Sequence, residues 1–260
     1  MFEFADGRSL TSLASSLRTA LARLRAAPIP ALTHQTAATS ALSPAQTSLR
    51  ERMISHNPGW EHRFYTDVEG RETIRRHMPG LLKIYDAYPA PIQRADLFRV
   101  AAVYLFGGVY LDLDMDVLAP LAPLRGHRCV LAEEKTLSAG EAETLNHAER
   151  LRIANYMFAS APGHRFWLEI LKAMAERAGR PILSDNDILE STGPGLFSTI
   201  YARLGHTYPD IVVLAHPGLA CPSCGGASCR FGEFAWHGHH GSWRGRQPNT
   251  RANTASTCLK

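Results

Sequence analysis

Strands alternating with helices, an apolar share of 45% and a length of 260 residues predict an α/β fold for this chain. With 20% charged residues, the composition is that of an ordinary globular protein with a sizeable core. The elements follow in order. "PIPALTHQT" reads as a first strand ending near His34, stiffened at its start by Pro28 and Pro30. Ser43-Pro44 supplies a cap and a first-turn proline for a helix running to His56. "NPGWEHRFYTD" turns at Asn57-Pro58-Gly59 and enters a second strand through Phe64 and Tyr65. Helical patterns over Glu69–His77 and Leu81–Tyr88 lead to the clearest helix, "PIQRADLFRVAAVYLFGG", opened by Pro91 and closed by Gly107-Gly108. A strand "VYLDLD", a strand near Cys129–Glu133 and a strand-like "IANYMFAS" come next. An amphipathic helix "PGHRFWLEILKAMAERAG", a shorter helix after Gly195 and a last strand at 211–215 complete the alternation.

A net charge of +4 without a compact Lys/Arg block or an RNA-binding aromatic motif argues against a nucleic-acid partner. The sign suits an anionic small substrate. No apolar run reaches the roughly 18 residues needed to span a bilayer. "RSLTSLASSLRTALARLRAAPIP" is Arg- and Ser-rich, lacks acids and spaces its leucines helically, the composition of a transit peptide or a surface helix. Cytoplasmic placement or peripheral membrane contact is expected. Among five cysteines, Cys221, Cys224 and Cys229 crowd into one Gly-rich segment ahead of several histidines. Structural zinc, a disulfide and free thiols all remain open for them.

The most informative stretch is "FGGVYLDLDMDVLAPL". If the strand continues through it, Tyr110, Asp112 and Asp114 share one face and Val109, Leu111 and Leu113 the other. Two carboxylates then stand together at the C-terminal end of a strand, where open α/β sheets bind ligands. Held close and unpaired they repel, and a divalent cation such as Mg²⁺ or Mn²⁺ removes the conflict. An EF-hand loop needs Gly where Val117 stands and Glu where Pro123 stands, so that reading fails. A haloacid-dehalogenase-like Mg-dependent phosphatase also opens with a strand and Asp-x-Asp, but Met115-Asp116 stand where its Gly-Thr belongs. The Asp-x-Asp of a nucleotide-sugar transferase is the third reading, and a polar strand end without metal the fourth.

"QRADLFRVAAVYLFGGVYLDLDMDVLAPL" resembles the signature of the DXD-containing glycosyltransferases of family thirty-two, which include the initiating α-1,6-mannosyltransferase and enzymes of capsular polysaccharide synthesis. "IPALTHQT", "SHNPGWEHRFYTD", "IANYMFASAPGHRFWLEIL", "STGPGLFSTIY" and "HGHHGSW" resemble further family segments in the same order. The resemblance implies a GT-A type, Rossmann-like nucleotide-sugar-binding fold, a mixed sheet flanked by helices, over residues 28–244. Residues 1–27 are then an N-terminal amphipathic segment and 245–260 a disordered tail. It also implies a metal-dependent, retaining transfer of a hexose-type sugar from a nucleoside-diphosphate donor to a glycan, lipid or protein acceptor. A phosphatase and a non-catalytic sugar-nucleotide-binding relative are the alternatives.

By the same resemblance, Asp112 faces the donor and Asp114 binds Mn²⁺ or Mg²⁺, with His237 or His239 as a further metal ligand. Asp96, Arg99 and Asn155 are expected at the donor sugar, with Arg94 in the same motif. His34, Gln35 and Tyr110 are expected along the donor, and Ser242 and Trp243 at its phosphates. Asp96 and Arg99 also fit a helix-surface ion pair, and Asn155 a turn cap. The Trp that often follows His-Gln in relatives is replaced by Thr36-Ala37.

Overall fold

The computed structural model describes residues 28–215 and 230–238. A seven-stranded mixed sheet forms its centre. β1 (Leu32–Ala37) pairs in parallel with β2 (Glu61–Thr66) on one side and β3 (Gly108–Leu111) on the other. β3 then pairs antiparallel with β7 (Met157–Ser160), and β7 with the start of β5 (Cys129–Thr136). β5 pairs in parallel with β8 (Ile211–Leu214) and antiparallel with β6 (Leu151–Ile153). The expected mixed sheet flanked by helices is therefore present.

Local signals explain the helices. α1 (Pro44–His56) starts with a Ser43/Gln46 capping box and Pro at its first turn. It ends at Asn57, whose buried amide donates to the Met53 carbonyl (2.8 Å) and accepts from the Leu121 N–H (2.8 Å). α2 (Asp67–His77) carries the equivalent box on Thr66 and Glu69, and α3 (Pro79–Ala87) follows. α4 (Pro91–Phe106) ends at Gly107, with φ 66°, and β3 begins at Gly108, with φ 92°. A Cβ at Gly108 would lie 2.5 Å from the Leu32 carbonyl oxygen, so the close approach of β1 to β3 requires glycine there. α5 (Ala139–Thr144), α6 (Phe166–Arg177), α7 (Asp185–Ser191) and α8 (Pro194–Leu204) complete the described helices.

One face of the sheet buries an aromatic core of α4, α6 and α8 that includes Tyr110, Phe158, Trp167 and Phe197. The other face buries Met53 of α1 with Val109, Leu111, Met157 and Phe231. A second sheet, of β4 (Met115–Val117), β10 (Ala235–His237) and β9 (Arg230–Phe231), packs there. Its three short strands carry no sequence signal of their own, and neither α5 nor α7 is predicted by periodicity.

Two strand assignments need correction. "VYLDLD" is not a continuous strand: β3 stops at Leu111, and a turn closed by the Met115 N–H on the Asp112 carbonyl (3.2 Å) leads into β4. "IANYMFAS" is two strands, broken at Ala154–Tyr156. The amphipathic N-terminal segment, the tail, and Cys221, Cys224, Cys229, His239, Ser242 and Trp243 lie outside the described residues. Among the described residues, no helix is long and apolar enough to cross a membrane.

Candidate active site

The turn that ends β3 does what strand alternation was expected to do. It brings Asp112 and Asp114 together, and β10 adds His237 from the other end of the chain. One ligand atom from each of the three lies within 4.8 Å of the others. His237 Nε2 stands 3.3 Å from Asp114 Oδ1, and its ring stacks on Tyr156 at 4.3 Å between centroids. The backbone fastens both halves: Gly238 N–H donates to the Asp114 carbonyl (2.8 Å) and Asp112 N–H to the Tyr156 carbonyl (2.8 Å). Burial opposes the charge on His237, but the hydrogen bond and charge of Asp114 outweigh it and raise the imidazole pKa. Asp116, third of the series, turns away to pair with Arg52 of α1 at 2.9 Å.

Beneath the turn lies a buried polar row on α4. Arg99 places its guanidinium 3.3 Å from Asp96 and 3.3 Å from Asp112, donates to the Asn155 carbonyl (2.8 Å) and covers the Tyr110 ring at 4.8 Å. Asp96 and Arg99 are 3% and 4% exposed, so they are not a helix-surface ion pair. The Asp96 carboxylate accepts from the Thr192 hydroxyl (2.7 Å) and the Asn155 amide (3.2 Å). Burial pushes Asp96 up to about 6 even though Arg99 and Thr192 pull the other way. Burial likewise raises Asp112, helped by the neighbouring Asp114 and resisted by Arg99. Tyr110 donates its hydroxyl to Asp112 Oδ1 at 2.7 Å.

Asp96, Arg99, Tyr110, Asp112, Asp114, Asn155 and His237 thus form one connected cluster. Three other candidates stand apart from it in their recorded bonds. His34 is buried in the core, bonded to the Gly107 carbonyl (2.8 Å) and the Tyr65 hydroxyl (3.3 Å), and burial brings its pKa down to about 4. Gln35 points its side chain to the opposite sheet face, where its buried carbonyl oxygen has no hydrogen-bond partner. Arg94 donates to the Tyr88 carbonyl at 2.9 Å. Thr192 was not singled out as a site residue, although the "STGPG" turn carrying it was. No sequence pattern connects it to Asp96, which lies 96 positions earlier.

Comparison with known proteins agrees with the motif. Residues 44–131 match the family described as "Glycosyltransferase sugar-binding region containing DXD motif". That match spans both motif aspartates and displaces the phosphatase reading. The chain is 30% identical over 198 residues to inositol phosphoceramide mannosyltransferase 3 of Schizosaccharomyces pombe, covering 76% of this chain and 51% of that protein. It is 28% identical over 175 residues to mannosyl phosphorylinositol ceramide synthase SUR1 of Saccharomyces cerevisiae, covering 67% and 42%. The chain therefore spans about half the length of these relatives. Among solved structures it is similar to the PaToxG glycosyltransferase, at 12% identity and a TM-score of 0.46, covering 76% of this chain and 79% of that one. The chain is therefore similar to the glycosyltransferases whose sugar-binding region contains the DXD motif, over residues 44–131 by the family match and over 198 residues by the first of these relatives.

Proposed function

We propose that the protein is a metal-dependent, retaining glycosyltransferase that moves a hexose, mannose first among them, from a nucleoside-diphosphate sugar. The carrying observation is the convergence of Asp112, Asp114 and His237 directly above the buried Asp96–Arg99–Asn155 row. The two yeast relatives are described as an inositol phosphoceramide mannosyltransferase and a mannosyl phosphorylinositol ceramide synthase, which supports mannose as the sugar. A glycolipid headgroup is accordingly the first acceptor to try, ahead of a glycan or a protein.

The residues fit a divalent cation. Two carboxylates and an imidazole with ligand atoms within 4.8 Å suit Mn²⁺ or Mg²⁺, and the imidazole favours Mn²⁺. When bound, the cation supplies charge neutralisation at the departing diphosphate. Arg99 and the Tyr110 hydroxyl hold Asp112 in one orientation from below. Asp96 and Asn155 present acceptor and donor groups for sugar hydroxyls, already fixed by Thr192 and Arg99. Dipoles fixed in this way stabilise positive charge on the sugar ring without reorganising as it develops. Retention follows from the family resemblance, and no protein nucleophile is assigned.

The test is donor hydrolysis with Mn²⁺, comparing GDP-mannose, UDP-glucose and UDP-galactose, with chelator as control and NMR of the released sugar. Chelator-sensitive release of an α-sugar supports the reading. No turnover of any nucleotide-sugar, or turnover indifferent to chelator, refutes it.

A further inference from the structure

We infer that Glu134 receives the attacking hydroxyl: its second carboxylate oxygen accepts a hydrogen bond from the acceptor, or from water when no acceptor is bound. The inference rests on the transferase reading and adds a residue that neither the DXD motif nor the α4 row contains.

The backbone first sets Glu134 apart. In the β5–β6 ladder Glu133 faces Ile153 and Lys135 faces Arg152, so Glu134 is the extra residue of a bulge. A bulge takes its residue out of the ladder and re-aims the side chain, and such irregularities gather beside active sites. The side chain is then clamped. Arg152, only 5% exposed, donates from Nε to Glu134 Oε2 (2.8 Å) and from Nη1 to Glu190 Oε1 (3.2 Å). Glu190 Oε2 in turn meets His147 Nε2 at 2.8 Å. Burying a guanidinium with its partners costs desolvation, and what this arrangement gains is one fixed orientation.

The clamp sits beside the cluster. Ala154 N–H donates to the Ala132 carbonyl (2.9 Å), which seats the Asn155 break against β5 two residues before Glu134. The charge of Glu134 is also among those acting on His237. At the end of this buried chain the Glu134 side chain is 18% exposed, against 6% for Arg152. A carboxylate with one oxygen held and a partly open face can take a hydrogen bond from an incoming hydroxyl. As its oxygen bonds the sugar carbon and the carbon's bond to the diphosphate oxygen breaks, that hydroxyl becomes more acidic and its proton passes to the departing diphosphate, so the contact with Glu134 strengthens in the transition state. A mere staple of the hairpin would affect melting and leave turnover alone.

The experiment measures donor hydrolysis with Mn²⁺ for wild type, Glu134→Ala and Glu134→Gln, with KM for the nucleotide-sugar, affinity for the free nucleoside diphosphate, and thermal melting. Glu134→Ala should lower kcat about tenfold or more, while KM and diphosphate affinity stay within about twofold. Glu134→Gln, whose amide oxygen still accepts, should fall between. Glu141→Gln, on the cap of α5, should leave kcat as it was. Wild-type kcat in Glu134→Ala overturns the assignment, and so does a parallel loss of kcat and diphosphate affinity. Should the alanine variant melt below assay temperature, an unchanged kcat in Glu134→Gln overturns it equally. A wild-type protein that turns over no nucleotide-sugar removes the transferase reading and this assignment together, a result distinct from a silent variant in an active background.

Discussion

Replacing Asp96 by asparagine should stabilise the protein at neutral pH while costing it catalysis. Burial pushes the Asp96 carboxyl up to about 6, against an ordinary value of 3.8, despite the opposing pull of Arg99 and Thr192. The sign follows from proton counting. Between about pH 4 and pH 6 the folded chain holds a proton that the unfolded chain has released, so wild-type stability falls as pH rises through that window. Above it the full cost applies: roughly two pKa units at about 1.4 kcal/mol each, or about 3 kcal/mol. Asparagine keeps the shape and hydrogen-bonding reach of the side chain but does not titrate. Urea unfolding of both proteins at pH 4, 5, 6 and 7.5 in chelator checks this. The stability of Asp96→Asn relative to wild type should rise by about 3 kcal/mol between the ends of the series. Its kcat for donor hydrolysis should fall at least tenfold, because a charged hydrogen-bond acceptor at the sugar is lost. A stability difference that stays flat with pH, or shrinks as pH rises, would show that ionised Asp96 is well solvated and refute the reasoning.

Asp114→Asn should lower Mn²⁺-dependent turnover by about a hundredfold or more while the melting temperature holds, since it removes a charged cation ligand near the surface of the fold. Mn²⁺ affinity, followed by titration calorimetry, should weaken as pH drops through the raised His237 pKa, because a protonated imidazole cannot ligate. In metal-free protein the same group contributes stability that is fully present below its unfolded pKa and lost as pH rises through the folded one. Gly108→Ala should cost about 3 kcal/mol in chemical denaturation, from a positive φ and a Cβ 2.5 Å from the Leu32 carbonyl. For Cys221, Cys224 and Cys229, about one equivalent of zinc by elemental analysis, with destabilisation by chelator, is the result expected of a structural site.

The parts of the fold with local chemistry were legible in the sequence. Ser43-Pro44 and the Gly107-Gly108 pair announce helix ends through capping and positive φ, and those ends lie where expected, whereas the Thr66/Glu69 box opens its helix at Asp67, two residues ahead of the expected Glu69. The membership of the cluster was legible too, because Asp96, Arg99, Asp112 and Asp114 fall within one contiguous stretch. Its geometry was not. Leu111-Asp112-Leu113-Asp114 alternates as a strand does and carries neither Gly nor Pro, so nothing local marks the turn. His34 was expected along the donor from the family resemblance alone, and its hydrogen bonds go to Gly107 and Tyr65 in the core. Contacts that span most of the chain, such as Thr192 on Asp96 or His237 on Asp114, are set by tertiary packing and leave no periodic trace. The Glu134 bulge belongs to the same class, since register between strands is a property of the pair.

β10 is the central strand of its small sheet and carries the third prospective ligand, His237, some 120 positions after Asp114. During synthesis the main sheet and its aromatic core can close before residue 230 has left the ribosome, because among the described residues none of their strands lies beyond Leu214. Such a chain already owns two carboxylates but lacks the imidazole and the Gly238 N–H that anchors Asp114. Under the proposed metal role, the ligand set is complete only once β10 has docked on β4. A protein clipped ahead of β9 would keep every strand of the main sheet, but it would lose Phe231 and Phe234 from the second core and could not close the ligand set. Under the same proposal, metal content per folded molecule measures how much of a preparation has docked its last described strand.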